Sequence, residues 1–162
     1  MSFIRIKRIN GREYAYLVEN KWYKRGFKGK GKGPRQSVSK YLGRVYAFSK
    51  ANDIGFYAFK EVSDINGYLK KTARERVIKD LVEWELSRHN IDKVEFMVDF
   101  SDKRIVKKNR DISLKINEGF LNSFTLSRLF NMRSNDGYYL AKCFVEAGIE
   151  IPKEVFVGLF GG

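Results

Sequence analysis

The sequence predicts an α+β protein with an N-terminal antiparallel meander, a long central helix, further short antiparallel strands and a C-terminal helical region. Three observations support this prediction. Two runs rich in β-branched and aromatic residues flank Asn10-Gly11, residues 68–89 carry an apolar stripe at helical spacing, and further helical segments occupy residues 123–147. A hydrophobic content of 43% is enough to bury a core and argues against a disordered chain.

The first hairpin is the clearest local pattern in the chain. Asn-Gly supplies the two positive φ angles of a type I′ turn, and a two-residue loop sets the register of both strands. Ile9 then lies opposite Arg12, and the pairing continues to Ile4 opposite Leu17. Because side chains alternate across a sheet, the two faces differ in chemistry. The face expected to meet the core carries Ile4, Ile6, Ala15 and Leu17, and the other carries Arg5, Lys7, Arg12, Tyr14 and Tyr16 and continues to Trp22.

A third strand is predicted at residues 37–48, which completes an antiparallel meander. The loop between strands two and three, residues 26–34, alternates lysine with glycine and has no apolar pattern that could fold it down. We expect it to be flexible and to approach a phosphate backbone closely, because glycine leaves the main chain uncovered. It is not a P-loop, since G-x-x-x-x-G-K-[ST] does not occur and the segment does not open a helix.

The net charge of +13 is concentrated in one third of the chain. Residues 1–50 contain 14 Lys and Arg against 2 acidic residues, whereas residues 51–162 contain 18 against 17. Concentrated like charge repels itself, so this distribution favours a polyanionic partner. Cations can neutralise phosphates while aromatic rings stack on exposed bases. We therefore predict nucleic-acid binding through Arg5, Lys7, Arg12, Tyr14, Tyr16, Trp22, Lys24, Arg25, Lys28, Lys30, Lys32, Arg35, Lys40 and Arg44.

An alternative is that Tyr14, Tyr16 and Trp22 cover a second layer of core, with the cations at its edge. The cations of the first hairpin lie in the middle of the strands, where a second core layer would have to bury them. Burial of an unpaired charge is costly, so the binding interpretation is preferred.

Membrane, metal and cofactor sites are not expected. No apolar run approaches the ~20 residues that a membrane span needs, and the start of the chain lacks the apolar core of a signal peptide. The basic third predicts strands and a loop rather than a membrane-binding amphipathic helix. With one cysteine, Cys143, no intramolecular disulfide can form, and with the single His89 it cannot make a metal site. We expect a cytoplasmic protein without a cofactor.

Two runs in the basic third follow a recognisable order. A tyrosine-rich strand ends in REYAYLVEN, a basic loop follows, and the run PRQSVSKYLGR comes next. This order over residues 3–46 resembles the N-terminal segment of DDE transposases of bacterial and archaeal insertion sequences. The residues that match are Tyr14, Tyr16, Leu17, Val18, Glu19, Arg35, Gln36, Tyr41, Leu42 and Gly43. The resemblance implies nucleic-acid binding, with DNA favoured over RNA, and a mobile-element or viral origin. It implies no transposition chemistry, because the family's RNase H-like catalytic domain needs more residues than remain.

The remainder of the chain completes the predicted domain. We expect one domain over residues 1–162, with a basic sheet unit at 1–48 and a mixed unit at 49–162 whose C-terminal helices lie at 123–160. The predicted elements after residue 48 are a turn at 52–55, a short strand in FYAFKEV, a helix at 68–89 ending at Asn90, strands at 94–100, 104–108 and 111–116, and helices at 123–130, 134–147 and from Pro152.

Two other functions are compatible with parts of this sequence. The helices at 123–130 and 134–147 have the spacing of a helix-turn-helix, whose second helix would present Asn135, Asp136, Tyr138, Tyr139 and Lys142. This segment is nearly neutral, whereas a DNA-reading helix normally sits among cations, so a helical cap on the sheet is preferred.

The second alternative is a metal-dependent nuclease built on Asp99 and Asp111, with Glu95 and Asp102 nearby in the sequence. In RDISLK, Ser113 stands where the second carboxylate of such a site would be, and Mg²⁺ would lack its usual pair of acidic ligands. We therefore predict binding without catalysis.

Overall fold

The computed structural model describes residues 2–23, 33–131 and 136–161, and within these ranges the chain is α+β, as predicted. The strands are β1 Ser2–Ile9, β2 Arg12–Tyr23, β3 Gly33–Ala47, β4 Met97–Asp99, β5 Arg104–Lys107, β6 Arg110–Ile116 and β7 Gly119–Leu121. The helices are α1 Phe56–Lys60, α2 Ile65–Lys71, α3 Arg74–Arg88, α4 Ser123–Phe130, α5 Gly137–Ala147 and α6 Lys153–Phe160. No helix in these ranges is long and apolar enough to cross a membrane.

The N-terminal meander has the predicted register. Asn10 and Gly11 take φ angles of 52° and 76°, and Ile9 pairs with Arg12 as the two-residue turn requires. Strand β3 is antiparallel to β2 and begins at Gly33, earlier than expected. Leu42 and Ser39 have no partner in the β2–β3 pairing, as at β-bulges, and Leu42 is buried.

A parallel pairing joins the meander to the rest of the sheet. Arg44 pairs with Ile112 and Ala47 with Lys115, which gives the strand order β1-β2-β3-β6-β5-β4, with β7 also paired to β6. Glycine is required at position 43, where φ is 101° and a Cβ would lie 2.2 Å from the Asp111 carbonyl oxygen. The remaining pairs, β4–β5, β5–β6 and β6–β7, are antiparallel, as expected.

The helices pack against β5, β6 and β7 and enclose the core with them. Buried apolar side chains from α3, α4, α5 and the strands form one cluster, which includes Val77, Leu81, Ile112, Leu114, Leu126, Leu129 and Phe144. The predicted bounds of α4 hold because Asn122 caps it: its Oδ1 accepts from the backbone N–H of Phe124 at 3.0 Å and of Thr125 at 3.1 Å. Gly148, with φ 75°, ends α5 in the left-handed conformation, at the end predicted for this helix.

The segment FYAFKEV is a helix, so the predicted strand there is wrong. Its aromatic residues suggested a strand, but Phe56 is buried with its ring 5.5 Å from that of Trp84 on α3. The helix ends at Glu61, which takes a φ of 55°. Tertiary packing on α3 outweighs the local β propensity.

The single helix predicted at residues 68–89 is also wrong, because the chain breaks between α2 and α3. Thr72 is extended, with φ −113° and ψ 129°. The break lets α2 pack on α6, where a Cβ on Gly158 would lie 2.3 Å from Leu69 Cδ1, while α3 packs on the core. The predicted end of α3 is confirmed, since Asn90 has a φ of 55°.

The strand predicted at residues 94–100 is shorter than expected. Only Met97–Asp99 pairs with β5, and Val94 is 92% exposed. Asp92 accepts hydrogen bonds from the backbone N–H groups of Val94 and Phe96, through its Oδ1 at 2.8 Å and its carbonyl oxygen at 2.9 Å. These bonds hold the start of the segment in a turn.

Candidate nucleic-acid interface

One face of the meander combines cations with tyrosine rings. The register brings Arg5 opposite Tyr16, Lys7 opposite Tyr14 and Tyr16 opposite Tyr41, so all five share a face. We call this surface the cation–aromatic face; its members are Arg5, Lys7, Arg12, Tyr14, Tyr16, Tyr41 and Arg44. Its cations from β1 and the start of β2 are exposed to solvent.

The rings on this face are close but not stacked on one another. The Tyr41 ring centroid lies 5.2 Å from that of Tyr16 and 6.5 Å from that of Tyr14, with interplanar angles of 49° and 35°. Lys7 Nζ lies 4.9 Å from the Tyr16 centroid, and Tyr41 is 49% exposed. Lys7 therefore covers part of the Tyr16 ring, whereas Tyr41 keeps surface that is open to a further planar group.

The cation–aromatic face continues into the face of β6 that supports the core. Arg44 pairs with Tyr14 on one side and with Ile112 on the other, and Tyr46 pairs with Leu114. Because paired residues share a face, the half-buried Tyr14 and Tyr46 lie on the same side of the sheet as the buried side chains of β6. The main core cluster is therefore on this side, whereas the sequence predicted it on the side of Ile4, Ile6, Ala15 and Leu17. A concave site forms at this boundary, between the meander and the β5–β6 hairpin.

We call this site the basic cleft. Its volume is about 830 Å³, and its lining residues are Arg12, Tyr14, Tyr41, Arg44, Tyr46, Arg104, Lys107, Lys108, Asn109, Arg110, Asp111 and Ile112. Three of the lining residues are tyrosines, six are Lys or Arg, and one is acidic. The meander supplies one part of the lining and the β5–β6 hairpin supplies the other.

The β5–β6 hairpin turns at Lys108-Asn109, which take φ angles of 51° and 62° as in a type I′ turn. This turn places Lys108 and Arg110, both exposed, at the edge of the basic cleft. Sequence reasoning missed these cations and Arg104 and Lys107, although the basic run at residues 107–110 is visible in the sequence. Their position beside the meander depends on the parallel β3–β6 pairing, which no local pattern indicated.

Some cleft cations are already neutralised and some are not. Arg104 binds Asp111 Oδ1 with its Nε and its NH2 group, each at 2.9 Å, and Lys107 Nζ lies 2.7 Å from Glu95 Oε1. In contrast, the other four cations of the cleft form no ion pair with a described residue. These are Arg12, Arg44, Lys108 and Arg110. The cleft therefore carries uncompensated positive charge suited to a polyanion.

Tyr41 remains protonated in this setting. Burial raises the pKa of its phenol, the neighbouring Tyr16, Tyr14 and Tyr46 raise it further, and Arg110 opposes this rise. At neutral pH the hydroxyl group can therefore donate a hydrogen bond to an anionic oxygen as well as accept one.

The structure separates the sequence-predicted residues into three groups. Arg12, Tyr14 and Arg44 line the basic cleft, and Arg5, Lys7 and Tyr16 adjoin it on the cation–aromatic face. The register places Lys40 opposite Leu17 and Arg35 opposite Lys21, so both lie on the other face of the meander.

The third group falls outside what the structure describes. Trp22 lies in β2 opposite Pro34, but its side chain is not among the described ones. The loop cations Lys24, Arg25, Lys28, Lys30 and Lys32 also lie outside the described residues, as does the start of the helix predicted at 134–147.

The carboxylates considered for a nuclease have other partners. Asp99 Oδ1 accepts from the backbone N–H groups of Ser101 and Asp102, both at 3.0 Å, and Asp111 binds Arg104. Ser113 is buried and donates to the Leu42 carbonyl oxygen at 2.8 Å. Across residues 2–23, 33–131 and 136–161, no three His, Cys, Asp or Glu residues are placed to hold a metal ion.

The helix pair α4–α5 presents few cations. Tyr138 is 79% exposed, Asp136 caps α5 by accepting from Tyr138 N–H at 3.0 Å, and Asn135 is outside the described residues. Lys142 and Arg128 both lie near Glu146, at 3.9 and 2.6 Å. His89 is buried at the end of α3, where its Nδ1 lies 2.8 Å from the Glu85 carbonyl oxygen.

Comparison of the chain with protein-family models, with curated proteins and with solved structures finds no match.

Proposed function

We propose that this chain is a non-catalytic nucleic-acid-binding protein that contacts phosphates through the basic cleft, the cation–aromatic face and the lysine-glycine loop. The observation that carries the proposal is the composition of the cleft: six cations and three tyrosines surround a concave space that contains one carboxylate. Phosphate oxygens favour Arg and Lys, and aromatic rings add contacts to bases and sugars.

DNA is proposed as the first target because residues 3–46 resemble the N-terminal segment of DDE transposases. That resemblance, and the mobile-element origin it implies, stay hypotheses. The uncompensated cations Arg12, Arg44, Lys108 and Arg110 support binding to any phosphate backbone, so the choice of nucleic acid is a separate question for experiment.

A binding panel tests the proposal. Fluorescence anisotropy would measure the affinity for labelled single- and double-stranded DNA and RNA over a series of salt concentrations. Release of counterions predicts a log–log slope of about −0.9 per neutralised phosphate on duplex DNA and about −0.7 on single strands. Lack of binding, or a slope near zero, would contradict the proposal and favour a protein partner.

The same protein should not cut the nucleic acid that it binds. Plasmid DNA and RNA incubated with Mg²⁺ or Mn²⁺ are expected to remain intact. Cleavage that is lost in Asp99→Ala would instead assign the chain to the metal-dependent nucleases.

A further inference from the structure

Resting on the proposed function, we infer that the basic cleft selects single-stranded nucleic acid over duplex by holding an unpaired base against Tyr14 and Tyr41. In this arrangement, Arg12, Arg44 and Arg110 bind the phosphates on either side of that base.

The position of the rings supports this inference. Tyr14 and Tyr41 line the cleft together with cations rather than standing on a convex surface. In a duplex the bases are stacked inside and only phosphates and groove edges reach the outside. A tyrosine ring that lines the cleft can therefore stack on a base only after that base has left the duplex.

The size of the cleft points to the same ligand. A volume of about 830 Å³ falls within the range of about 300–1,000 Å³ that holds a compact organic group. Such a space accommodates a nucleotide or two of a flexible strand. It does not admit a double helix, which would contact only its rim.

Three of the cleft arginines come from three different strands. Arg12 opens β2, Arg44 belongs to β3 and Arg110 opens β6, so positive charge surrounds the tyrosines on several sides. A guanidinium group binds phosphate in a bidentate manner and also stacks on planar groups. A strand with its phosphates along this ring of charge would direct its bases toward the tyrosines.

The test compares three ligands of equal length, about 12 nucleotides, at one salt concentration. They are a single strand, the same strand with abasic sites throughout, and its duplex. We expect the single strand to bind at least about tenfold more tightly than the abasic strand, which has the same phosphates but no bases to stack. The duplex should bind more weakly than the single strand, although its phosphates are more closely spaced.

Variants of the cleft complete the test. Tyr41→Leu should weaken binding of the single strand on the order of tenfold and leave the abasic strand unchanged, while Tyr41→Phe, which keeps the ring, should retain most of the affinity. Tyr138→Leu is the matched control, since Tyr138 is exposed on α5 outside the cleft. Thermal unfolding would verify that each variant is folded.

These measurements distinguish failure of the single-strand inference from failure of the proposed function. Equal affinity for all three ligands, unaffected by Tyr41→Leu, would overturn the inference and leave a phosphate-binding protein. Absence of binding to every ligand at low salt would overturn the proposed function itself.

Discussion

At the scale of single residues, Gly43 determines whether the two parts of the sheet can meet. A Cβ at this position would lie 2.2 Å from the Asp111 carbonyl oxygen and 2.6 Å from Ile112 Cα. Both are backbone atoms of β6, so no side-chain rotation can relieve the overlap. A methyl group here would push β3 away from β6 and open the basic cleft between them.

We expect Gly43→Ala to lower the free energy of unfolding by about 2–4 kcal/mol, because a positive φ of 101° adds backbone strain to the overlap. Urea unfolding monitored by circular dichroism would measure the change. Gly137→Ala is the control: a Cβ there would meet no described atom within 4 Å, and stability should be unchanged or slightly higher. Equal effects of the two substitutions would show that close approach at Gly43 is not limiting.

A second feature at the scale of single residues is a buried cluster of charged side chains at the end of α3. Glu85 is fully buried, and its Oε1 accepts from Arg88 and from the backbone N–H of Glu150, both at 3.0 Å. Burial raises the pKa of Glu85. The pKa of Glu150 is lowered instead, since burial would raise it but hydrogen bonds from Arg88 and Lys50 outweigh that effect.

The cluster predicts a pH dependence of stability that can be isolated with Glu150→Gln. A carboxyl group with a lowered folded-state pKa stabilises above its unfolded-state pKa, and this contribution is lost as the pH falls through the folded-state value. At neutral pH the variant should therefore be less stable, by about 1 kcal/mol or less because the Glu150 side chain is 49% exposed and solvent screens it. The difference in stability between the variant and the wild-type protein should vanish at a pH well below 4.5, the ordinary pKa of a glutamate side chain. The Glu150 charge is one cause of the raised pKa of Glu85, so the substitution also eases that rise, which keeps the expected difference small. A difference that stays constant from neutral to acidic pH would contradict this assignment.

At the scale of secondary-structure elements, the β5–β6 hairpin contributes to the site without any core role at its turn. Lys108 and Arg110 are exposed and pair with no described carboxylate, so their removal should leave the fold intact. We expect the double substitution Lys108→Ala, Arg110→Ala to weaken binding to every sequence and to reduce the salt slope by about 0.9 for each cation that contacts a duplex phosphate.

Lys40→Ala provides the control for that experiment, measured by the same salt titration. Lys40 is equally basic and exposed, but it lies opposite Leu17 on the other face of the meander. Its substitution should change affinity only slightly. A loss as large as that of the hairpin double variant would show that binding is not confined to the cation–aromatic face and the cleft.

The elements that sequence analysis predicted correctly are those determined by nearby residues. The first hairpin follows from Asn10-Gly11, and the bounds of α4 and the end of α5 follow from capping at Asn122 and from Gly148. Each of these signals acts within a few residues. The cation–aromatic face was predictable for the same reason, because strand alternation and a known register suffice to define it.

The elements that sequence analysis predicted wrongly all depend on contacts with residues that are distant in the sequence. The helix at Phe56 forms because its ring packs on Trp84, and the break at Thr72 forms because α2 packs on α6. The basic cleft was not predicted as a unit, since half of its cations belong to β5 and β6 and only the parallel pairing of Arg44 with Ile112 brings them to the meander. Local composition carries no information on that pairing.

At the scale of the whole molecule, the site draws its charge from both the basic third and the nearly neutral remainder of the chain. We expect the lysine-glycine loop to add affinity without specificity. Tyr23 and Gly33 are Cα partners, so residues 24–32 can be replaced by Asn-Gly with the strands still paired. This variant should fold, bind all sequences more weakly and show a flatter salt dependence, because it lacks Lys24, Arg25, Lys28, Lys30 and Lys32.

Circular dichroism would test whether the loop variant folds, and anisotropy titrations would measure its affinity and salt dependence. Its preference among single strands, abasic strands and duplexes should equal that of the wild-type protein, because the tyrosines of the cleft remain. Unfolding of the variant, or unchanged affinity, would show that the loop does not bind phosphate.

The parallel pairing of β3 with β6 also sets an order of folding. The meander needs only contacts between neighbouring segments, and it can form as soon as residues 2–47 have left the ribosome. Its junction with β6 must wait until residue 116 is available and must close a long intervening loop, which slows its formation. During synthesis the chain therefore exposes a charged, tyrosine-bearing sheet before the other wall of the cleft exists. Under the proposed function, charge alone would let this sheet retain nucleic acid, and discrimination between its forms would require the completed fold.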